Sequence, residues 1–444
     1  MARTWPGKKR RVVVRSLKAS IPAPHSPDAP AVRVVKNIIV GGDTLKVSKV
    51  FRLFFWFVCE RQRVFERRLA GEPAPWTDDE ALASHPYINV FRVLDRTSQY
   101  ILTHVICDER YTLEDAFFRV LLFRTFNRIE TWEYLEEQRG SLTWADFDVR
   151  EYERLLDALD GPLYSGAYIM PAPVREFGYP TNHQCHLRLI DLMMSLKVYK
   201  RMERMKHLKD AHGYLCLFPS MGDFMAMQLT LDLNMLPYFD WNEDEWVALG
   251  PGSSSCLKKM FGSDINGREQ EVLRHIRDEQ MTYFSQFGLP EDAIPQLCPE
   301  RGPGLTLVDI EHALCECEKY SRAAYPDIKG RRQSAGRRYV PKDIPVTNAL
   351  PEKWRKPVEK PNWTQPDAVD GDDTYEVAHV VREIKKWNRE ESPSYVIRWA
   401  GWGPEWDSTL SEVDLEEGSP KIVREWRRLK QEIQDGIDLR RRRR

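Results

Sequence analysis

Two glycine-containing segments of the chain carry residue types that suit the binding of phosphate groups. In the first, residues 217–228, apolar residues lead into a tight turn at Gly222, and Ala226 follows in the next helix, as in a helix-hairpin-helix turn. Such a turn directs backbone N–H groups at the start of a helix toward a DNA phosphate. Because Ser220 stands where the usual motif has its first glycine, an ordinary turn between two helices is the alternative interpretation.

The second segment is a loop rich in glycine and serine that precedes a helix predicted over residues 256–261. Gly250, Gly252 and Ser253 leave backbone donors available in this loop, and such donors favour an anion. The segment therefore predicts a second anion-binding site.

Arg96, Arg124 and Lys319 are the cationic side chains that we expect near these two segments. The two arginines stand in otherwise apolar helical stretches. An unpaired interior arginine is costly, so each should be buried with a partner or face a phosphate. Lys319 follows Glu316 by one helical turn, and it either lines the same pocket or forms an ordinary surface pair with Glu316.

The elements that must position these residues are helices. Between residues 36 and about 325, apolar residues repeat at intervals of three and four, most clearly over 113–137 and 186–207. This period predicts an all-α domain. Residues 1–35 are basic and proline-rich without a period, and they predict a flexible arm.

After residue 325 the composition changes, and then the period changes too. Residues 326–372 are rich in proline and charged residues and predict a basic linker. The alternating pattern that follows predicts strands over 375–384, 395–399 and 409–413. A helix that begins at Ser419, with Pro420 at its first position, can cover this small sheet.

Composition limits the classes of function. The formal net charge is −1, from 66 Lys+Arg and 67 Asp+Glu, yet no acid precedes Asp28 and residues 440–444 are all arginine. Basic ends of this kind predict phosphate-binding arms or import signals, and the alternative for either end is a solvated tail. The longest apolar run, 53–59, is far shorter than the roughly 20 residues of a membrane span, and no signal-peptide pattern is present, so we expect an intracellular protein without a membrane partner.

The motifs predict neither a metal nor a cofactor. The 8 cysteines are scattered through apolar contexts. Two clusters of histidine and cysteine, at 183–186 and 312–317, lack a second ligand pair at the spacing of a zinc site. A P-loop is also absent from the sequence, so ATP is not an expected cofactor.

The carboxyl-terminal string from Thr374 to Leu415, followed by a helix ending in REWRRL, resembles a chromodomain. Tyr375, Trp399 and Trp402 match the three positions of the aromatic cage in that family, while Trp406 stands at a position that is often acidic. Aromatic faces attract a methylated ammonium group, with about 0.5 to 2 kcal/mol for each ring. The alternative is that the three rings are core residues of a small sheet.

The chromodomain resemblance implies a partner, the methylated tail of histone H3, and a nuclear location. The family clamps this tail as an added strand. The matching places in this chain are residues 376–379 and 412–414.

Residues 45 to about 325 resemble the helical domain attached to 5-hydroxymethyluracil DNA kinases, in the α-glutamyl/putrescinyl thymine pyrophosphorylase group. The resemblance lies in short motifs that occur in order: F-R-V-L-D-R-T-S-Q-Y from Phe91, F-F-R-V-L-L-F-R-T-F-N from Phe117, D-L-N from Asp232, A-L-G-P-G from Ala248, and V-D-I-E-H-A-L-C-E from Val308. This group is similar in fold to helix-hairpin-helix DNA glycosylases.

This second resemblance implies that the domain acts on, or recognises, a modified thymine base in DNA. Either pyrophosphate displacement by an amine or cleavage of an N-glycosidic bond needs a base turned out of the stack and an acid or base beside it. Asp240 lies where the related glycosylases place their catalytic aspartate, and Asp244 follows closely. The alternative for these two carboxylates is a solvated acidic turn.

The predicted fold class is mostly α, with a glycosylase-like helical domain and a small α+β chromodomain that has a three-stranded antiparallel sheet and a C-terminal helix. The predicted parts are an arm (1–35), the helical domain (36–325), a linker (326–372), the chromodomain (373–430) and an arginine-rich tail (431–444). The predicted function is a chromatin protein that couples a reader of methylated lysine to a domain for modified thymine in DNA. The alternatives are a non-catalytic adaptor for chromatin or DNA, and a protein derived from a mobile element.

Overall fold

The computed structural model describes residues 20–29, 31, 34–107, 110–328, 345–359, 361, 375–384 and 392–443. They form a large helical domain and, near the carboxyl end, a small module with its own three-stranded sheet. The predicted combination of many helices with a small antiparallel sheet is confirmed. Within these ranges, no helix has the length and apolar content that crossing a membrane would require.

The α-helices and strands of the described residues occur in the following order along the chain. The helices are α1 (Lys49–Leu69), α2 (Glu80–Ser84), α3 (Arg96–Tyr100), α4 (Leu113–Phe126), α5 (Ile129–Arg139), α6 (Val149–Ala158), α7 (Val174–Phe177), α8 (Asn182–Ser195), α9 (Val198–Met202), α10 (Leu208–Leu215), α11 (Asp223–Leu233), α12 (Pro251–Phe261), α13 (Glu269–Gln286), α14 (Leu307–Ala324), α15 (Glu412–Gly418) and α16 (Pro420–Arg442). The strands are β1 (Asn37–Val40), β2 (Asp43–Lys46), β3 (Val377–Ile384), β4 (Ser394–Trp399) and β5 (Ser408–Ser411). A π-helical turn, Ile101–Val105, follows α3.

Helix α1 is buried along most of its length and packs against α12 and α14. Ser48 begins it, because its hydroxyl oxygen accepts a hydrogen bond from the main-chain N of Val50 at 3.2 Å. On the other side, the Trp56 indole N donates to the main-chain O of Ile21 at 2.8 Å. Residues 20–29 of the predicted flexible arm therefore include a segment that packs against α1, while residues 1–19 lie outside the described residues.

Two predicted helical segments are each divided by a residue in the left-handed region. Asn127, with φ +48°, separates α4 from α5, and Lys197, with φ +51°, separates α8 from α9. The prediction of single segments over 113–137 and 186–207 missed these breaks because the apolar spacing continues through them. Helix α12 also begins earlier than predicted, with Pro251 at its first position.

The all-α prediction for residues 36–325 missed a β-hairpin. Strands β1 and β2 pair antiparallel with Ile38 opposite Leu45, and both side chains are buried. The turn is made by Gly41 and Gly42, whose φ angles of +56° and +89° favour glycine. Strands of four residues are too short to produce a recognisable alternating pattern.

Part of the predicted linker packs on the helical domain. The Gln99 side chain accepts from the main-chain N of Ala349 at 2.8 Å and donates to its O at 3.0 Å. Lys353 donates to the main-chain O of Leu236 at 3.1 Å, and Trp354 packs against the core. Residues 345–359 are thus part of the domain surface, whereas 329–344 and 362–374 lie outside the described residues.

In the module, the strand order is β3-β4-β5, and both pairings are antiparallel. A separate small core contains Val380, Ile397, Leu415 and Val423. The third strand ends at Ser411, earlier than predicted, because α15 begins at the next residue. The predicted start of the last helix at Ser419 and Pro420 is confirmed.

Helix α16 does not stop where the predicted chromodomain ends. Val423 and Trp426 lie in the module's core, whereas Ile433 and Ile437 lie in the core of the helical domain. Arg440 is buried, and its Nε lies 2.8 Å from the Asp191 carboxylate. Residues 431–442 of the predicted arginine-rich tail are therefore helical, and part of this segment packs on the helical domain.

The module also contacts helix α10 through buried charges. Arg398 of β4 is 3% exposed, and its side chain donates to Asp407 and, at 3.0 Å, to Asp210 of the helical domain. Lys209 lies 2.8 Å from Asp407. Gly213 faces the main-chain O of Val381 so closely that a side chain would overlap it, so glycine permits the contact between α10 and β3.

Candidate functional site

The centre of the candidate site is a buried carboxylate between two arginines. Asp232 of α11 is fully buried, and it accepts hydrogen bonds from Arg92, at 2.6 Å, and from Arg124 of α4. Arg92 also donates to the side-chain O of Gln228 at 2.9 Å. Burial lowers the pKa of Arg92 and Asp232 raises it, with a net upward shift, so this guanidinium stays charged.

A pair of stacked rings lies against these arginines. The rings of Tyr168 and Phe224 are 5.7 Å apart and nearly parallel, at 11°, and the guanidinium of Arg124 lies 5.9 Å from the Tyr168 ring. Phe224 is 41% exposed. Tyr168 has φ +54°, which is uncommon for a residue with a bulky side chain and is typical of functional sites.

The charges of two carboxylates, Asp95 and Glu316, act on the Tyr168 hydroxyl. Burial, Asp95 and Glu316 all raise the pKa of Tyr168, against an opposing effect of Arg92, so the hydroxyl is protonated. The Asp95 carboxylate lies 3.2 Å from Nε2 of His312, which is buried. We give the name Tyr168 cluster to the following residues: Tyr168, Phe224, Arg92, Arg124, Asp232, Gln228, Asp95, Glu316 and His312.

A glutamate of the chain itself occupies the loop that was predicted to bind an anion. Oε1 of Glu311 accepts hydrogen bonds from the main-chain N of Gly250, at 2.9 Å, and from the Ser253 hydroxyl, at 2.6 Å. An added side chain at Gly250 would lie 3.7 Å from the Phe224 ring, so this loop borders the Tyr168 cluster. These two donors are therefore already engaged by a carboxylate.

Gly252, the second residue of α12, has a packing role. A side chain at this position would overlap the Cys315 side chain, so glycine permits α12 to approach α14. Lys319 of α14 pairs with Glu316, which also accepts from the main-chain N of Ile88 at 3.2 Å. The i,i+3 pair that was the alternative for Lys319 is thus present.

The two carboxylates predicted to be catalytic lie elsewhere in the domain. Asp244 is buried, pairs with Arg277, and accepts from the main-chain N of Leu307 at 3.1 Å, at the start of α14. Burial raises its pKa to about 6 despite the pairing with Arg277. Asp240 is exposed, and its charge acts on Lys353, in the segment 345–359.

The other residues that were predicted to belong to the site also lie in different parts of the domain. Arg124 is buried beside Asp232, but Arg96 is exposed at the start of α3. Tyr320, the residue after Lys319, is fully buried and donates to Asp79 at 2.7 Å. The described contacts therefore do not bring the predicted residues Asp240, Asp244, Arg96 and Lys319 together around one pocket.

The hairpin around Gly222 connects α10 to α11 and lies beside the cluster. Ser220, at the position of the motif's first glycine, has φ +66°, the backbone conformation for which glycine is favoured. Gly222 precedes the first residue of α11, and Phe224 follows two positions later. The hairpin thereby places the exposed ring of Phe224 on Tyr168.

In the module, the three aromatic residues predicted to form a cage lie together. The Tyr375 ring is 6.1 Å from the Trp399 ring and 5.1 Å from the Trp402 ring, both edge to face. Trp406 joins them, 5.4 Å from Trp402. Tyr375 is 41% exposed, so the aromatic cluster is open to solvent.

Several residues of the Tyr168 cluster stand in sequence motifs that could have marked them as site residues. Asp95, Asp232 and His312 all stand inside the short motifs by which the helical domain was recognised. Glu311 stands in the same motif as His312. Tyr168 lies in an irregular connection between α6 and α7, where neither period nor motif marks it.

Comparison with known proteins agrees with these motifs. The sequence model of the family described as "5-hmdU DNA kinase, helical domain" matches residues 48–330. A protein named 5-hmdU DNA kinase, from Bacillus phage SP10, is 25% identical over 348 residues, which are 72% of this chain and 53% of that protein. The chain thus spans about half the length of this relative. No solved structure matches.

Proposed function

We propose that this chain, which belongs to the family of the 5-hmdU DNA kinase helical domain, binds DNA. In this proposal, the domain holds a modified thymine base of the 5-hydroxymethyluracil type against Phe224 and Tyr168. A base that leaves the duplex needs an aromatic surface in place of its neighbours. The stacked pair of Phe224 and Tyr168, exposed at one end, is the observation that carries the proposal.

The surroundings of the two rings suit a polar, modified pyrimidine. The charges of Asp95, Glu316 and Arg92 act on the Tyr168 hydroxyl, and the Arg124 guanidinium lies 5.9 Å from the Tyr168 ring. Such groups can form hydrogen bonds with the carbonyl and hydroxymethyl groups of the base. The two arginines are held by Asp232, so their positions are fixed before DNA arrives.

For chemistry at the base, we propose Glu311 as the acid or base. Its carboxylate is half-buried, is held by Gly250 and Ser253, and lies in the loop that borders Phe224. The carboxylate of Asp244 is instead bonded to Arg277 and to α14, and Asp240 lies beside the segment 345–359. Either pyrophosphate displacement by an amine or cleavage of the glycosidic bond requires one such proton-transfer group.

Binding of the full chain to DNA that contains 5-hydroxymethyluracil tests the proposal. Phe224→Ala should weaken binding about 5- to 150-fold, since one base stacked on a ring contributes about 1–3 kcal/mol. Tyr238→Ala is the matched control, because Tyr238 is also exposed, at 36%, and its hydroxyl contacts Tyr111 instead. Equal binding by Phe224→Ala and the control, or no preference for the modified base over thymine, would contradict the proposal.

A second measurement separates an enzyme from an adaptor. The full chain is incubated with the modified DNA, with and without a pyrophosphorylated base and candidate amines, and the bases are analysed. Glu311→Gln should abolish the formation of an altered base or an abasic site, while DNA binding persists. If the wild-type chain binds the DNA but never alters it, the adaptor is the better description.

For the carboxyl-terminal module, we propose that the aromatic cluster binds a methylated lysine, as in a chromodomain that reads the histone H3 tail in the nucleus. Three neighbouring aromatic rings, with Tyr375 41% exposed, suit a methylammonium group. A groove of about 810 Å³ adjoins Trp399 and Trp402, and Arg201 and Arg204 of the helical domain line its other wall. An extended peptide therefore has room beside the rings.

Peptides that carry trimethyllysine or unmodified lysine test this second proposal with the full chain. Tyr375→Ala should reduce the preference for trimethyllysine about 2- to 30-fold, which corresponds to 0.5 to 2 kcal/mol for one ring. Tyr238→Ala serves again as the control. Equal affinity of the wild-type chain for both peptides would remove the support for a reader.

A further inference from the structure

Three side chains of types that bind transition metals meet at the hairpin between α10 and α11. His212 and Cys216 are one helical turn apart at the end of α10, and Asp223 is the first residue of α11. The Cys216 sulfur lies 3.7 Å from Nε2 of His212 and 3.9 Å from Oδ1 of Asp223, and these nitrogen and oxygen atoms are 3.9 Å apart. Among the described residues, this is the single group of three such side chains with this spacing.

The triangle formed by the three atoms has the size of a zinc site. A point at equal distance from all three atoms lies about 2.2 Å from each, as follows from sides of 3.7, 3.9 and 3.9 Å. Zinc binds nitrogen and oxygen ligands at about 2.0–2.2 Å and sulfur at about 2.3 Å. An ion at that point lies at bonding distance from all three atoms, and the His212 ring reaches it once Nε2 releases its hydrogen bond to the main-chain O of Asp223.

Access and ligand types also suit zinc. His212 is buried, Cys216 is half-buried, and the Asp223 side chain is 48% exposed, so the triangle opens toward solvent. A nitrogen, a thiolate sulfur and a carboxylate oxygen form a mixed set that zinc accepts, and a water molecule can complete a tetrahedron.

We propose that His212, Cys216 and Asp223 bind a zinc ion, which fastens the end of α10 to the start of α11 across the hairpin. The Cys216 thiol releases its proton on binding, and the neutral imidazole of His212 moves its proton from Nε2 to Nδ1. The hydrogen bond that Nε2 now makes to the main-chain O of Asp223, at 3.0 Å, is broken. The proposal does not depend on the function proposed for the Tyr168 cluster.

A neighbouring cation modulates this site. Arg382 of β3 pairs with Asp223, with its Nη1 at 2.6 Å from Oδ1 and its Nη2 at 3.1 Å from Oδ2. Zinc takes the place of Nη1 at Oδ1, while Oδ2 keeps its hydrogen bond to Nη2. Arg382→Gln removes the competing charge and should therefore tighten zinc binding.

Titration of the metal-free full chain with Co²⁺, followed by displacement with Zn²⁺, tests the site. Wild-type protein should bind one equivalent and show the absorption of a cobalt–thiolate bond. Cys216→Ser should lose this absorption, and Asp223→Asn should weaken binding at least 10-fold. Cys107→Ser, which removes an exposed thiol outside the site, is the matched control and should behave as wild type.

Unfolding measurements keep the test decisive when a variant binds no metal. Zinc should raise the unfolding temperature of the wild type and of Cys107→Ser, but not that of Cys216→Ser. Without metal, Cys216→Ser should unfold at the same temperature as the wild type, which shows that this variant is folded. The proposal is overturned if the wild type shows no thiolate absorption, if Cys216→Ser retains it, or if Cys107→Ser loses it.

Discussion

Replacing Asp232 by asparagine should destabilise the helical domain severely. The Asp232 carboxylate is fully buried, and it is the counterion of two arginines that are themselves 8% and 1% exposed, Arg92 and Arg124. Asparagine keeps the shape but removes the charge, and its amide group presents N–H bonds to one of the two guanidinium groups. The interior is then left with two uncompensated positive charges.

The size of this effect follows from buried ion pairs. Removing one partner of such a pair costs about 3–5 kcal/mol. Because one carboxylate here serves two arginines, we expect Asp232→Asn to lie at the upper end of that range. Stabilities of single domains are about 5–15 kcal/mol, so the variant loses a third or more of the total.

Urea unfolding followed by circular dichroism measures this loss directly. Asp327→Asn is the matched control, since Asp327 also pairs with one cation, Lys49, but its side chain is 67% exposed. Such an exposed pair contributes at most about 1 kcal/mol. The double variant Asp232→Asn, Arg92→Met should lose less unfolding free energy than the sum of the losses of the two single variants, because it also removes one of the two unpaired positive charges. A loss below 1 kcal/mol for Asp232→Asn would refute the assignment of Asp232 as the shared counterion.

Three further predictions concern other parts of the structure. The pKa of Asp244 in the folded chain, about 6, lies above its usual value of about 3.9, so the contribution of this carboxyl to stability is present at low pH and is lost as the pH rises through 6. Asp244→Asn should therefore flatten the dependence of the urea midpoint on pH between about 4 and 6. An unchanged slope would contradict the raised pKa of Asp244. Gly252→Ala should cost about 1–3 kcal/mol in thermal unfolding, because the added methyl group overlaps Cys315, and Cys315→Ala should restore part of the loss. Removal of residues 441–444 should reduce the slope of log affinity for DNA against log salt by close to one unit for each phosphate group that these arginines neutralise, and an identical slope would show that they do not touch DNA.

The sequence was informative where the signal is local and periodic. The long helices, the three strands of the module and the start of α16 at Pro420 all follow from apolar spacing and capping residues. The breaks at Asn127 and Lys197 were missed, because a residue that adopts the left-handed region does not interrupt the apolar period. The packing of residues 345–359 was missed because hydrogen bonds such as that between Gln99 and Ala349 are fixed only by the tertiary structure.

The candidate site, like the fold, was only partly predictable from the sequence. Motifs identified the family and contained Asp232, Glu311 and His312, yet spacing could not show that they contact Arg92, Gly250 and Asp95, respectively. Asp244 looked catalytic because it follows the hairpin at a suggestive distance, whereas its actual partner, Arg277, lies on α13. Which carboxylate pairs with which arginine depends on helix packing, and no local pattern specifies it.

Helix α16 has a consequence for how the chain unfolds. Its 23 residues extend over about 34 Å, and its first half completes the core of the module while its second half completes that of the helical domain. Neither core can lose this helix without exposing apolar surface in the other. The two parts should therefore melt in a single cooperative transition, and a fragment cut between them would lack part of its own interior. The chain is in this respect one folding unit that carries two surfaces.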